Sequence, residues 1–260
     1  MPDSFFGWVA HIFIEYLPLF ARGTLTTLEV AITGTIFGFI IGLAVAVIRT
    51  IPLEKSSPLA KRVSLKIVKA LLVAYIEVFR GTPMIVQSMV IFYGIPQVFG
   101  VHLNVIGAAI LIISINTGAY MAEIIRGGIV SVDAGQTEGA YSIGMTHSQT
   151  MMSVVLPQAV RNIMPSIGNE FVINIKDSSV LNVISVTELF FMTKSAAGTY
   201  LKYFESFFIT AVIYFILTFT VTRILRFVEK RMDGKDSYTI FGSQSSPDAE
   251  IQIKEEAYHE

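Results

Sequence analysis

Three groups of charged and amide side chains lie within stretches that are otherwise apolar. Glu77 and Arg80 are three residues apart, just ahead of Thr82, Pro83 and Gln87. Asn116 and Glu123 are seven apart, with Tyr120 between them. Glu170, Asn174 and Asp177 follow an i, i+4, i+7 pattern that puts them on one helical face, while Lys176 points about 100° away from Asp177. Ionisable groups inside apolar spans are costly, and they are kept where they face protein or a water-filled path. Carboxylates accept hydrogen bonds from an ammonium, and Arg or Lys donates to a carboxylate. Glu77, Arg80, Thr82, Gln87, Asn116, Glu123, Asn174, Lys176 and Asp177 therefore hold the inventory needed to recognise a zwitterion along a pathway. More local readings stand beside this one. Glu77 and Arg80 can form a structural i, i+3 pair. Glu123 can pair with Arg126 near a span end, and Glu170 can sit among lipid headgroups.

Bond-breaking chemistry has no support in the residues. The chain has no cysteine, so it has neither a disulfide nor a thiolate nucleophile. His11, His102, His147 and His259 are isolated and build no metal site. The Gly-Lys step at Gly234-Lys235 is followed by Asp236 and has Glu229 where a phosphate loop needs its first glycine. No H-E-x-x-H or G-x-S-x-G is present. No cofactor is expected on this chain, and no basic face points to nucleic acid.

The elements that must position these side chains are membrane helices. Of 260 residues, 53% are hydrophobic and 15% charged, with a mean hydropathy of +0.62. Uncharged runs at Val30–Ile48, Gly81–Ala122 and Ser206–Thr222 suit a hydrocarbon core that takes about twenty helical residues to cross. An all-α polytopic membrane protein is expected, with five spans. These are Thr24–Ile48, Ala70–Val98 broken near Pro83, Asn104–Ile129, Glu170–Met192 and Tyr203–Phe227. Gly34, Gly38 and Gly42 line one face of the first span and permit close helix packing. Residues 1–22 read as an aromatic interfacial segment. They lack the basic n-region of a cleaved signal. Residues 23–232 form the membrane domain, and residues 233–260 read as a disordered polar tail. Arg49–Lys69 and the Arg223–Arg231 segment are the basic connections, which places them in the cytoplasm and the N-terminus outside.

Between the third and fourth spans lies a polar stretch, Asp133–Asn169, with Pro157 and Pro165. Gln136–Ile143 is expected to be a short helix, Gly144 an elbow with φ > 0 or a close contact, and Thr146–Leu156 a second helix stopped by Pro157. Two short helices with a glycine elbow make a knob that can dock in a partner's groove. The spacing Glu138-Gly139-Ala140, three residues, Gly144, nine residues, Val154-Val155-Leu156-Pro157 resembles the EAA loop of the membrane subunits of ABC importers. Gly139 and Val154 depart from that pattern conservatively. From Gly23 to Val228 the chain also resembles the polar amino-acid branch of these permeases. The likeness is carried by Arg80-Gly81-Thr82-Pro83, Asn116-Thr117-Gly118-Ala119-Tyr120, Glu123 to Ile129, Leu156-Pro157-Gln158-Ala159 and Lys176-Asp177-Ser178-Ser179.

The resemblance implies a type I importer fold with five core helices, a coupling helix and a bacterial inner-membrane location. It implies a second permease subunit, two ATPase subunits that carry the ATP and Mg, an extracytoplasmic binding protein and a polar amino-acid substrate. It gives Glu138, Gly139, Ala140, Gly144, Leu156 and Pro157 to ATPase coupling. An ion-coupled transporter or channel working without ATP is the alternative reading, and a membrane enzyme is disfavoured by the missing motifs.

Overall fold

The structure, a computed structural model, describes residues 2–51 and 58–232. The expectation for the 233–260 tail lies outside the described residues. Among the described residues the chain is helical throughout. α1 (Phe5–Glu15) leads into α2 (Leu17–Thr50), followed by α3 (Leu59–Gly81), α4 (Met84–Phe99) and α5 (Val105–Val130). α6 (Ala134–Ser142) and α7 (His147–Thr150) are short. A π turn (Met151–Val155) then opens directly into α8 (Leu156–Asp177), and a 3-10 stretch (Ser178–Ile184) precedes α9 (Leu189–Tyr200) and α10 (Tyr203–Met232).

The glycine ridge of α2 sets the centre of the bundle. A Cβ on Gly38 would lie 2.7 Å from Thr117 Cβ, and the pairing repeats as Gly34 on Ile113 and Gly42 on Met121. Each step of four on α2 is matched by a step of four on α5, so the two helices run parallel in close contact. Thr117 and Gly128 of α5 face Asn174 and Ile163 of α8, which makes α8 antiparallel to α5. Gly168 of α8 lies against Leu225, so α10 runs back again. The ends of α2, α5 and α10 thus share one end of the bundle with the start of α3. Arg49 and Arg126 both pair with Glu123 there, the latter at 2.9 Å, and Lys69 donates to the Ile51 carbonyl at 2.5 Å. The α6–α7 knob projects from this end. At the other end α1 packs through Phe5 on Phe204 and Phe208 and through Trp8 on Tyr200.

Among the described residues, three helices are long and apolar enough to cross a membrane: α2, α5 and α10. The second expected span is two pieces, α3 and α4, broken at Thr82-Pro83 as proline chemistry requires. Several expectations change. Leu17 to Arg22, assigned to the terminal segment, are the first turns of α2. The helix that carries the fourth expected span begins at Leu156 rather than Glu170, and the chain bends by 58° between Ile184 and Leu189. Ser185 turns the chain at φ +66°. Glu188, fully buried, caps α9 by accepting from the Phe190 and Phe191 amides at 2.8 and 2.7 Å and from the Tyr214 hydroxyl at 2.9 Å. A buried carboxylate with three donors stabilises a helix start, so this charge within the expected fourth span begins a new helix.

Pro157 does not stop the helix before it. The π turn puts it in the first turn of α8, where its missing N–H is harmless. Gln158 Nε2 donates to the Val154 carbonyl at 2.9 Å and takes up one of the acceptors exposed there.

Candidate functional site

The knob is built from local capping. Asp133 accepts from the Gly135 amide at 2.7 Å and starts α6. Thr146 and Gln149 form a capping box that starts α7. Between them Gly144 adopts φ +83°, and the Gly144 and Met145 amides close the α6 end on the Tyr141 and Ala140 carbonyls at 3.0 and 3.1 Å. The Tyr141 hydroxyl meets His147 Nδ1 at 3.0 Å and ties the two short helices together. Ala140 is buried beneath the knob, while Glu138, Gly139, Ile143 and Gly144 face outward, Ile143 at 78% exposure. A Cβ at Gly139 or Gly144 would meet no atom within 4 Å. The outer surface of the elbow is therefore open to a partner. Leu156 and Pro157 are at the root of the knob, on the first turn of α8.

A cavity of about 330 Å³ opens beside the α3–α4 break. Thr82, Pro83 and Met84 form one wall, Asn116 and Tyr120 of α5 the second, and Glu170, Ile173, Asn174 and Asp177 of α8 the third. Four residues expected on a pathway, Thr82, Asn116, Asn174 and Asp177, meet here. Glu170 is only 3% exposed on the cavity wall, which favours the shared face with Asn174 and Asp177 over the headgroup alternative. The longer α8 explains this, since Glu170 lies about four turns above Leu156. Asn174 accepts from Thr117 Oγ1 at 3.0 Å and donates to Thr35 Oγ1 at 2.8 Å, joining α2, α5 and α8.

Gln87 stands behind the wall. Its Nε2 donates to the Phe79 and Thr82 carbonyls, each at 2.9 Å, and its Oε1 accepts from Asn116 Nδ2 at 2.8 Å. Phe79 would bond the amide of residue 83 in a continuous helix. Proline has none, and Gln87 supplies the missing donor. Glu77 and Arg80 form no ion pair with each other among the described residues; the Arg80 guanidinium lies 5.4 Å from the centre of the Tyr120 ring. Glu123 is outside the cavity, held by Arg126, as its spacing allowed, and by Arg49, 74 residues away in sequence. Lys176 lines a different groove, against α10. Tyr120, which the sequence places between Asn116 and Glu123, also lines the cavity, although it is not among the expected pathway residues.

Residues 56–234 match the family described as the binding-protein-dependent transport system inner membrane component. The chain belongs to this family. Among its relatives, the arginine transport system permease protein ArtQ of Bacillus subtilis is 31% identical over 223 residues, covering 86% of this chain and 96% of ArtQ. The glutamine transport system permease protein GlnP of Escherichia coli is 35% identical over 217 residues, covering 83% and 94%. A crystal structure of an amino acid ABC transporter with histidines superposes with a TM-score of 0.76 at 36% identity, covering 89% of this chain and all of that one.

Proposed function

We propose that this chain is the membrane-spanning permease subunit of an ATP-driven importer of polar amino acids. The observation that carries the reading is α8. One helix runs from the knob root at Leu156 to Glu170, Asn174 and Asp177 on the cavity wall, about 33 Å at 1.5 Å per residue. Displacement of the knob by a bound ATPase moves that wall. Glu138, Gly139, Ala140 and Gly144 present the knob, and Leu156 and Pro157 join it to the wall. ATP and Mg sit on two ATPase subunits. A second permease subunit closes the pathway, and an extracytoplasmic binding protein delivers the substrate.

In the cavity Glu170 and Asp177 accept hydrogen bonds from the substrate ammonium. Asn116 and Thr82 add neutral contacts, and Arg80 beside Tyr120 faces the carboxylate. Alternating access follows, with ATP closing the ATPase pair and α8 carrying the motion. The knob and the basic span ends lie in the cytoplasm and the α1 end lies outside, in the inner membrane of a bacterium. The relatives named for arginine and glutamine support an amino-acid substrate.

The test is reconstitution. The purified complex is expected to retain an ATPase subunit and to accumulate labelled polar amino acids in vesicles only when ATP is present with that subunit. Uptake by the permease alone, driven by an ion gradient, would overturn the proposal and leave the ion-coupled transporter in its place.

A further inference from the structure

A second groove, between α8 and α10, is separate from the cavity beside the α3–α4 break. Its volume is about 230 Å³, and Lys176, Arg223 and Arg226 line it together with Val172, Phe215 and Phe219. All three cations are exposed, and among the described residues none of them forms an ion pair. Thr218 and Thr222 complete the lining. Their hydroxyls donate to the Tyr214 and Thr218 carbonyls of their own helix, at 2.9 and 2.7 Å, so the cations are the available donors. Arg223 stacks on Phe219 with 4.8 Å to the ring centre.

The groove has a depth axis. Gly168 lies against Leu225 on antiparallel helices, so Lys176 sits level with Leu217, about 9 Å deeper than Arg223. Arg223 and Arg226 stand where α10 turns basic toward Lys230 and Arg231. A lysine at such depth runs its stem along apolar surface and carries its ammonium toward the polar boundary. The three cations line this one groove, and Phe215, 66% exposed, and Phe219, 48% exposed, continue it along α10 away from the basic end.

Unpaired cations at a span end need an anion, and an aromatic wall below them needs hydrocarbon. We propose that this groove binds one anionic phospholipid. Its phosphate sits among Arg223, Arg226 and Lys176, and an acyl chain lies over Phe215 and Phe219. Arg forks suit phosphate oxygens, and basic pockets between membrane helices are where such headgroups bind. A free phosphate would leave the aromatic wall uncovered. A zwitterionic lipid would set its own cation against three others.

The test uses the full complex, equilibrated in mixed micelles of phosphatidylglycerol and phosphatidylcholine, with the co-purifying lipid quantified. The wild type is expected to enrich phosphatidylglycerol. The Arg223→Gln/Arg226→Gln double variant is expected to lose roughly thirtyfold of that preference, and Arg62→Gln, on α3, to keep it. Equal retention of both lipids by the wild type, or unchanged preference in the double variant, would overturn the proposal. So would a several-fold gain of lipid on removing residues 233–260, because the acidic tail would then be the occupant. A chain without native cysteine also allows Thr222→Cys. A disulfide between two such protomers in membranes would put a second copy in the groove and end the lipid assignment.

Discussion

Gly144 carries the elbow at φ +83°. An L side chain in that region costs roughly 1–2 kcal/mol, and a β-branched one is the worst fit. Nothing in the subunit lies within 4 Å of the added Cβ, so Gly144→Val strains the elbow and alters its docking surface while leaving the bundle intact. The expected outcome is a permease that inserts normally, retains little ATPase on purification and transports poorly at matched expression. Glu138→Ala removes one exposed charge and is expected to weaken ATPase retention less, by about 1–3 kcal/mol for a single charge-assisted contact. Normal transport by Gly144→Val with its ATPase bound would contradict the knob assignment. Asn174 gives a residue-scale prediction of another kind. Asn174→Ala leaves the Thr35 and Thr117 hydroxyls without their shared partner and should cost about 0.6–2 kcal/mol, read as earlier unfolding of the detergent-solubilised subunit. The helical face of Glu170, Asn174 and Asp177 was legible from spacing alone. The Arg49 partner of Glu123 was not, because contacts across 74 residues leave no periodic trace.

The break between α3 and α4 is a property of two elements and one borrowed donor. Pro83 frees the Phe79 carbonyl, and the Gln87 amide takes it while accepting from Asn116. Pro83→Ala restores the backbone donor and straightens the junction, which moves Thr82 and Met84 off the cavity wall. Transport is expected to fall with a raised KM for substrate, while the variant unfolds no earlier than the wild type. Unchanged kinetics would separate the break from the cavity. Proline announced this break in the sequence. It misled at position 157, where a stop was expected and the π turn made a continuation, since a wider turn is set by tertiary packing and leaves no composition signal. Glu188 is a similar case. A carboxylate in an apolar stretch looks like an interruption until its three donors, one of them 26 residues away, are in place.

At the scale of the molecule, parallel α2 and α5 and antiparallel α8 put the Arg49, Arg126 and Arg223–Arg231 span ends and the knob on one side of the bundle. With no native cysteine to mask, Ser148→Cys on α7 is expected to react with an impermeant maleimide only after the cell is opened. Reaction in intact cells would invert the orientation. The same side of the molecule holds the π turn at residues 151–155, between the knob and the helix that carries the cavity wall. An i→i+5 turn uses one residue more than an α turn, so this junction holds a surplus residue matched to Pro157. Deleting Ser153 on its own returns the ladder to α spacing and drives the proline ring into a helix interior, at a cost of about 3 kcal/mol. Deleting Ser153 together with Pro157→Ala removes both halves of the arrangement and leaves a plain helix with the knob facing as before. Pro157→Ala should therefore act as a suppressor of the deletion. The deletion is damaging alone and the pair restores transport, so the tolerated chain length here is set by whether residue 157 is a proline.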